Sequence, residues 1–192
     1  ATRYNVIDYV TISSTGNAAD FGDLPRTANS GTPLSSATRG IYAGGYYPSN
    51  NRDDQIDYFT IATTGNASDF GDVASGSYGA HAALESPTRG ILAGGFNNTP
   101  SPSTRYNRID FLTIATTGNT QDFGDLSVAN SGASGTSSNT RGIIRHGQAA
   151  PTTQTNAIEF ITIASTGNAQ DFGDQSHSNH KRNISNGGSE TR

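Results

Sequence analysis

A nine-residue phrase, Thr-Gly-Asn-x-x-Asp-Phe-Gly-Asp, occurs four times in this chain, beginning at Thr15, Thr64, Thr117 and Thr166. The intervals between copies are 49, 53 and 49 residues. A period of this size means that one supersecondary unit is repeated, and that each unit buries its apolar face against its neighbours. Each phrase follows a short apolar run: Val6–Ile12, Ile56–Ile61, Ile109–Ile114 and Ile158–Ile163. A second phrase, Thr-Arg-Gly-Ile, begins at Thr38, Thr88 and Thr140. Its first two copies continue into Ala43-Gly44-Gly45 and Ala93-Gly94-Gly95, and the third decays to Ile143-Ile144-Arg145-His146-Gly147.

The apolar runs read as strands. They are short, rich in β-branched and aromatic residues, and bounded by Gly and Asn. In the second copy Ile56, Tyr58 and Thr60 share one face, and Asp57, Phe59 and Ile61 share the other. Both faces are partly apolar, which predicts strands covered on both sides by neighbouring sheets. No stretch sustains a helical period. The Gly-Asn pair suits a turn, since both residues tolerate positive φ. The first Asp of Asp-Phe-Gly-Asp is placed to bond its own downstream backbone. Phe21, Phe70, Phe123 and Phe172 are then four equivalent core plugs.

Composition fits many short strands joined by many turns. Ile, Leu, Val and Phe number only 32 of 192 residues, and the net charge is −4. There is no Cys, so disulfides and thiolate metal sites are excluded. Lys181 is the only lysine, which leaves no polybasic surface for nucleic acid. No apolar run reaches the length of roughly 20 residues that a membrane-spanning helix needs.

Within one unit the order is Leu24-Pro25-Arg26, a polar stretch, Arg39-Gly40-Ile41-Tyr42-Ala43-Gly44-Gly45, a loop, then Ile56-Asp57-Tyr58. This resembles the kelch repeat, in which a strand ending in a double glycine precedes one carrying a Tyr-Asp-type pair. The resemblance implies four-stranded propeller blades, with units near 1–37, 38–87, 88–139 and 140–192, the last incomplete. The Trp typical of kelch units is missing, and the Phe of Asp-Phe-Gly-Asp stands in for it. A β-solenoid or fibrous stack is the alternative arrangement. The Ile-Asp-Tyr to Asp-Phe-Gly-Asp stretch is also similar to repeats in structural proteins of tailed phages, especially cyanophages. Four Asp-Phe-Gly-Asp turns stand against three Thr-Arg-Gly-Ile strands, and the chain stops at Thr191-Arg192. A closed ring would need the N-terminal segment to complete the last blade; otherwise the chain is an open fragment, or another subunit closes its edges.

Candidate chemistry follows from the same repeats. Asn17, Asp20 and Asp23 offer oxygens at spacings of three, but each loop carries two carboxylates where Ca²⁺ takes about six to eight oxygens. Turn chemistry is the better reading, with no metal and no cofactor expected. Arg39, Arg89 and Arg141 stand just before the Gly-Gly strand, as a mouth of arginines for anionic groups or as partners of the neighbouring unit's aspartates. His177 and His180 have metal-compatible spacing without an evident third ligand. No Gly-x-Ser-x-Gly elbow occurs, and the acids recur in every unit, whereas catalytic groups are built once. The copies differ most in their loops: Tyr46-Tyr47-Pro48, Phe96-Asn97-Asn98 and Gln148 to Thr155. Tyr46, Tyr47, Phe96, Asn97 and Asn98 suit sugar stacking with polar recognition.

These features predict a non-enzymatic virion or surface structural protein of extracellular type. The phage resemblance implies a tail-fibre or appendage component, working beside copies of itself or other virion subunits. Its partner would be a host receptor or glycan, with no nucleic acid and no membrane insertion. A secreted propeller glycan-active enzyme or lectin is the alternative.

Overall fold

The computed structural model describes residues 4–28, 30–46, 52–74, 79–97, 104–149 and 155–176, which form fourteen strands and no helix. β1 (Val6–Tyr9) and β2 (Ala19–Asp23) make a hairpin. β3 (Thr32–Ser35), β4 (Arg39–Tyr46), β5 (Arg52–Thr60) and β6 (Ser68–Asp72) form a four-stranded sheet in chain order. β7 (Gly79–Glu85), β8 (Arg89–Asn97), β9 (Thr104–Thr113) and β10 (Gln121–Asn130) form a second. β11 (Ser134–Ser137), β12 (Arg141–Arg145), β13 (Ala157–Thr162) and β14 (Gln170–Asp174) form a third. All pairs are antiparallel neighbours in sequence.

The partial unit lies at the opposite end from the one expected. The sheet that contains the last Asp-Phe-Gly-Asp has all four strands, and the first unit is only β1 and β2. Asp-Phe-Gly-Asp is the fourth strand of its sheet and closes it. A first copy with no Thr-Arg-Gly strand ahead of it is therefore a hairpin. Each full sheet begins before its Thr-Arg-Gly phrase and straddles two of the expected units.

In every copy the Phe of this phrase is the extra residue of a β-bulge. Ile7 faces Gly22 and Asp8 faces Asp20, which skips Phe21, and the same skip leaves out Phe70, Phe123 and Phe172. A bulge re-aims one side chain out of the strand's alternation. Here it turns the ring against the third-strand aromatic of its own sheet, as in Tyr58–Phe70 at 5.8 Å and Phe111–Phe123 at 6.1 Å between centroids. Phe21, Phe70 and Phe123 are buried at 8%, 2% and 3% exposure, but Phe172 is 56% exposed. The expectation of four equivalent plugs fails there because no further sheet among the described residues covers it.

The same phrase joins sheet to sheet. Gly65 N donates to Phe21 O at 2.7 Å and Ala67 N to Asp23 O at 2.8 Å. Asp23 N donates back to Asn66 Oδ1 at 3.0 Å. The set repeats with Gly118, Thr120 and Asn119 on Phe70 and Asp72, and with Gly167, Ala169 and Asn168 on Phe123 and Asp125. Thus the Thr-Gly-Asn turn of each sheet is hydrogen-bonded to the last strand of the sheet before it. Of the two residues that tolerate positive φ, Gly65, Gly118 and Gly167 take it and the Asn does not. The Asn contributes its side-chain oxygen instead. The Asp of the phrase bonds its downstream backbone as expected in two copies, Asp69 to Gly71 N and Asp171 to Gly173 N, both at 3.1 Å.

Apolar clusters fill the spaces between sheets. Leu34, Ile41, Ile56, Phe70 and Val73 meet Leu92, Leu112 and Ile114 across the first such space. Leu84, Ile91, Ile109 and Phe123 meet Ile144, Ile161 and Ile163 across the second. The two-faced character of the third strand is therefore real. Ile56 faces the following sheet, whereas Phe59 meets Phe21 of the preceding hairpin at 5.1 Å.

Candidate functional site

The arginines do not form an open mouth. Arg39 lies over the Tyr58 ring at 4.5 Å and donates from Nη1 to Ile114 O of the next sheet at 2.8 Å. Arg89 lies over Phe111 at 4.7 Å and donates to Ile163 O at 2.9 Å. The neighbouring unit is indeed the partner, through a main-chain carbonyl and not an aspartate. Arg141 lies over Phe160 at 4.5 Å and is exposed, with no following sheet among the described residues. Cation–π stacking and a charge-assisted bond together fix each guanidinium, so Arg39 and Arg89 act as ties between sheets.

A second series of equivalent residues lies on the third strands. Asp57, Asp110 and Glu159 occupy the same place on β5, β9 and β13, and are buried at 1%, 2% and 3% exposure. Each meets a different partner. Arg26 Nη1 is 2.9 Å from Asp57 Oδ2, Arg108 Nε is 2.6 Å from Asp110 Oδ1, and His146 Nε2 is 2.6 Å from Glu159 Oε2. Burial alone would push Glu159 up, but the bonds from His146 and Ser127 outweigh it and hold the carboxyl below its ordinary value. The sequence signal was the recurrent acid after the strand's first Ile. What concealed it was the partner, which comes from a different part of the unit each time. Among the described residues no three His, Asp or Glu groups gather as a metal site.

His81 on β7 gives the fold a pH dependence. Thr32 Oγ1 lies 3.2 Å from its Nδ1, and burial pushes the imidazole down to about 4. An unfolded His titrates near 6.5, so below about pH 6.5 the unfolded chain takes up a proton that the folded chain refuses. Stability should therefore fall as pH drops from about 6.5 to about 4, by about 3 kcal/mol in all. Glu159 adds a further loss only below its ordinary range, as its carboxylate is protonated. Urea unfolding between pH 7 and 4 checks this. His81→Gln should flatten the dependence, and an unchanged slope in that variant would contradict the assignment.

The hairpins β4–β5, β8–β9 and β12–β13 connect equivalent strands, so they leave the sheets at one common edge. The Ala-Gly-Gly phrase sits at their base. Gly44 and Gly94 have φ of 69° and 74°, and the pairing register shifts there. Pairing then resumes, to Tyr46 opposite Arg52 and Asn97 opposite Thr104. The third unit lacks Ala-Gly-Gly, and its β12–β13 pairing ends at Arg145 and Ile158. Its His146 turns inward to Glu159 instead. Neighbouring hairpins are braced, since Arg105 reaches Ser131 Oγ at 3.2 Å and Gln148 Oε1 at 3.1 Å. Phe96 and Asn97 are half-buried on β8, and Tyr46 ends β4. Tyr47, Asn98, His177 and His180 lie outside the described residues.

Neither family models nor curated proteins match this chain. Among solved structures, "Structure of YjhT" is similar, with a TM-score of 0.67 at 10% identity over 83% of this chain. The match covers 56% of that protein, so the chain spans about half the length of its structural neighbour. The likeness is one of fold alone.

Proposed function

We propose that this chain is a non-enzymatic structural protein of a virion or other surface, an arc of a kelch-like propeller whose hairpins present a binding edge. The observation that carries this reading is the use made of the repeated residues. Wherever two sheets meet, Gly, Asn, Phe and Arg of the repeated phrases are engaged in the joint, and the recurrent buried acids pair with Arg26, Arg108 and His146. Variation falls in the hairpins at one edge, which is how a constant frame carries a changeable surface. The likeness to YjhT, a kelch-like propeller, supports the arrangement of the sheets. The resemblance to phage structural repeats supports a tail-fibre or appendage component, with a glycan or host receptor as the ligand.

A glycan array probed with the intact protein tests this. The expected result is selective binding that falls about tenfold or more in Tyr46→Ala and Phe96→Ala, as for aromatic anchors. Cleavage of a polysaccharide by the purified protein would overturn the proposal in favour of an enzyme.

A further inference from the structure

The joints inside the chain show what each of its end faces lacks. Gly16, Asn17 and Ala18 correspond to Gly65, Asn66 and Ala67, and all three are exposed. Beside them Val10 and Ile12 are 58% and 98% exposed, whereas of Ile12's counterparts Ile114 and Ile163 are 1% exposed and Ile61, in the sheet that follows the two-stranded hairpin, is 43% exposed. The opposite face is deficient in the complementary sense. Phe172 stands out at 56%, and Gly173 has open space where the three preceding glycines of its kind meet the next sheet's backbone. Arg141 keeps its ring stack, and no carbonyl among the described residues is supplied to it as Ile114 and Ile163 supply Arg39 and Arg89.

We propose that a second copy of this chain docks head to tail, its β1–β2 hairpin taking the place on the last sheet that each sheet takes on the one before. The contact is written out three times within the chain. Gly16 N and Ala18 N of one copy would donate to Phe172 O and Asp174 O of the other. Asp174 N would donate to Asn17 Oδ1, and Arg141 to Ile12 O. Phe172 would then be covered as Phe21, Phe70 and Phe123 are. Such a contact uses two different faces and so propagates or closes a ring.

Sedimentation velocity of the intact protein over a concentration series is the test. Wild type should form species of at least twice the 20.0 kDa chain mass. Phe172→Asp blocks one face and Ala18→Arg the other, and each alone should weaken association about 100-fold, the loss of a central anchor. Both positions are exposed, so each variant should melt within about 2 °C of the Phe172→Ala and Ala18→Ser controls. Mixing the two blocked variants should restore a dimer, since each retains the face that the other needs. Three results would overturn the proposal: a monomeric wild type, blocked variants that associate like wild type, or a mixture that stays monomeric.

Discussion

Gly124→Ala should be among the most damaging single substitutions in this protein, costing about 4 kcal/mol or more. A Cβ at Gly124 would stand 2.4 Å from Gly167 O and 2.9 Å from Asn168 N, both backbone atoms of the next sheet. Neither can yield without breaking the bond from Gly167 N to Phe123 O. The φ of 152° adds strain for any L side chain. Gly173 separates the two terms. It has the same place in the last sheet and a φ of 138°, but open space around its Cβ position. Gly173→Ala should therefore carry only the strain, about 1–3 kcal/mol. Urea unfolding of both variants measures the difference, and equal losses would mean that the sheets are not in contact at Gly124.

Glu159→Ala should cost about 3 kcal/mol, since each buried polar group left without its partner costs about 1–3 kcal/mol. The substitution strands His146, whose side chain is fully buried, and the Ser127 amide that donates to Glu159 Oε1 at 3.1 Å. Replacing both partners in His146→Leu/Glu159→Leu should recover part of that loss, because the His146 ring is no longer stranded and only the Ser127 amide is left without its acceptor. Asp8 holds the corresponding place in the first hairpin but is exposed. Asp8→Ala should stay within about 0.5 kcal/mol of wild type. Equal effects at Asp8 and Glu159 would remove the case for a buried pair.

The repeat made the architecture legible before any coordinates. A period near fifty residues with two-faced strands calls for sheets packed on sheets, and the third strands have that environment. What the period did not reveal was its phase. A cyclic pattern has no natural start, and only the pairing of β6, β10 and β14 as closing strands shows where a sheet ends. Phe21 to Phe172 read as core because apolar residues beneath turns are so, yet the bulge that aims them depends on register with another strand. Arg39 illustrates the same limit. Its charge suggested a carboxylate partner, whereas its acceptor, Ile114 O, lies 75 residues away on the backbone, where composition carries no signal. The buried acids were visible as letters, but Arg26, Arg108 and His146 reach them from three different places.

The Thr-Gly-Asn turn of each sheet is hydrogen-bonded onto the Asp-Phe-Gly-Asp strand of the sheet before it. Native-state amide hydrogen exchange reads those bonds one at a time. The variant Phe172→Asp is the form to measure, since it leaves the first turn unpartnered. The amides of Gly65, Ala67, Gly118, Thr120, Gly167 and Ala169 should exchange only through large-scale opening, close to the rate of global unfolding. Gly16 and Ala18, which belong to the same phrase but meet no preceding sheet, should exchange orders of magnitude faster. Protection that is equally low in all eight amides would contradict the joint.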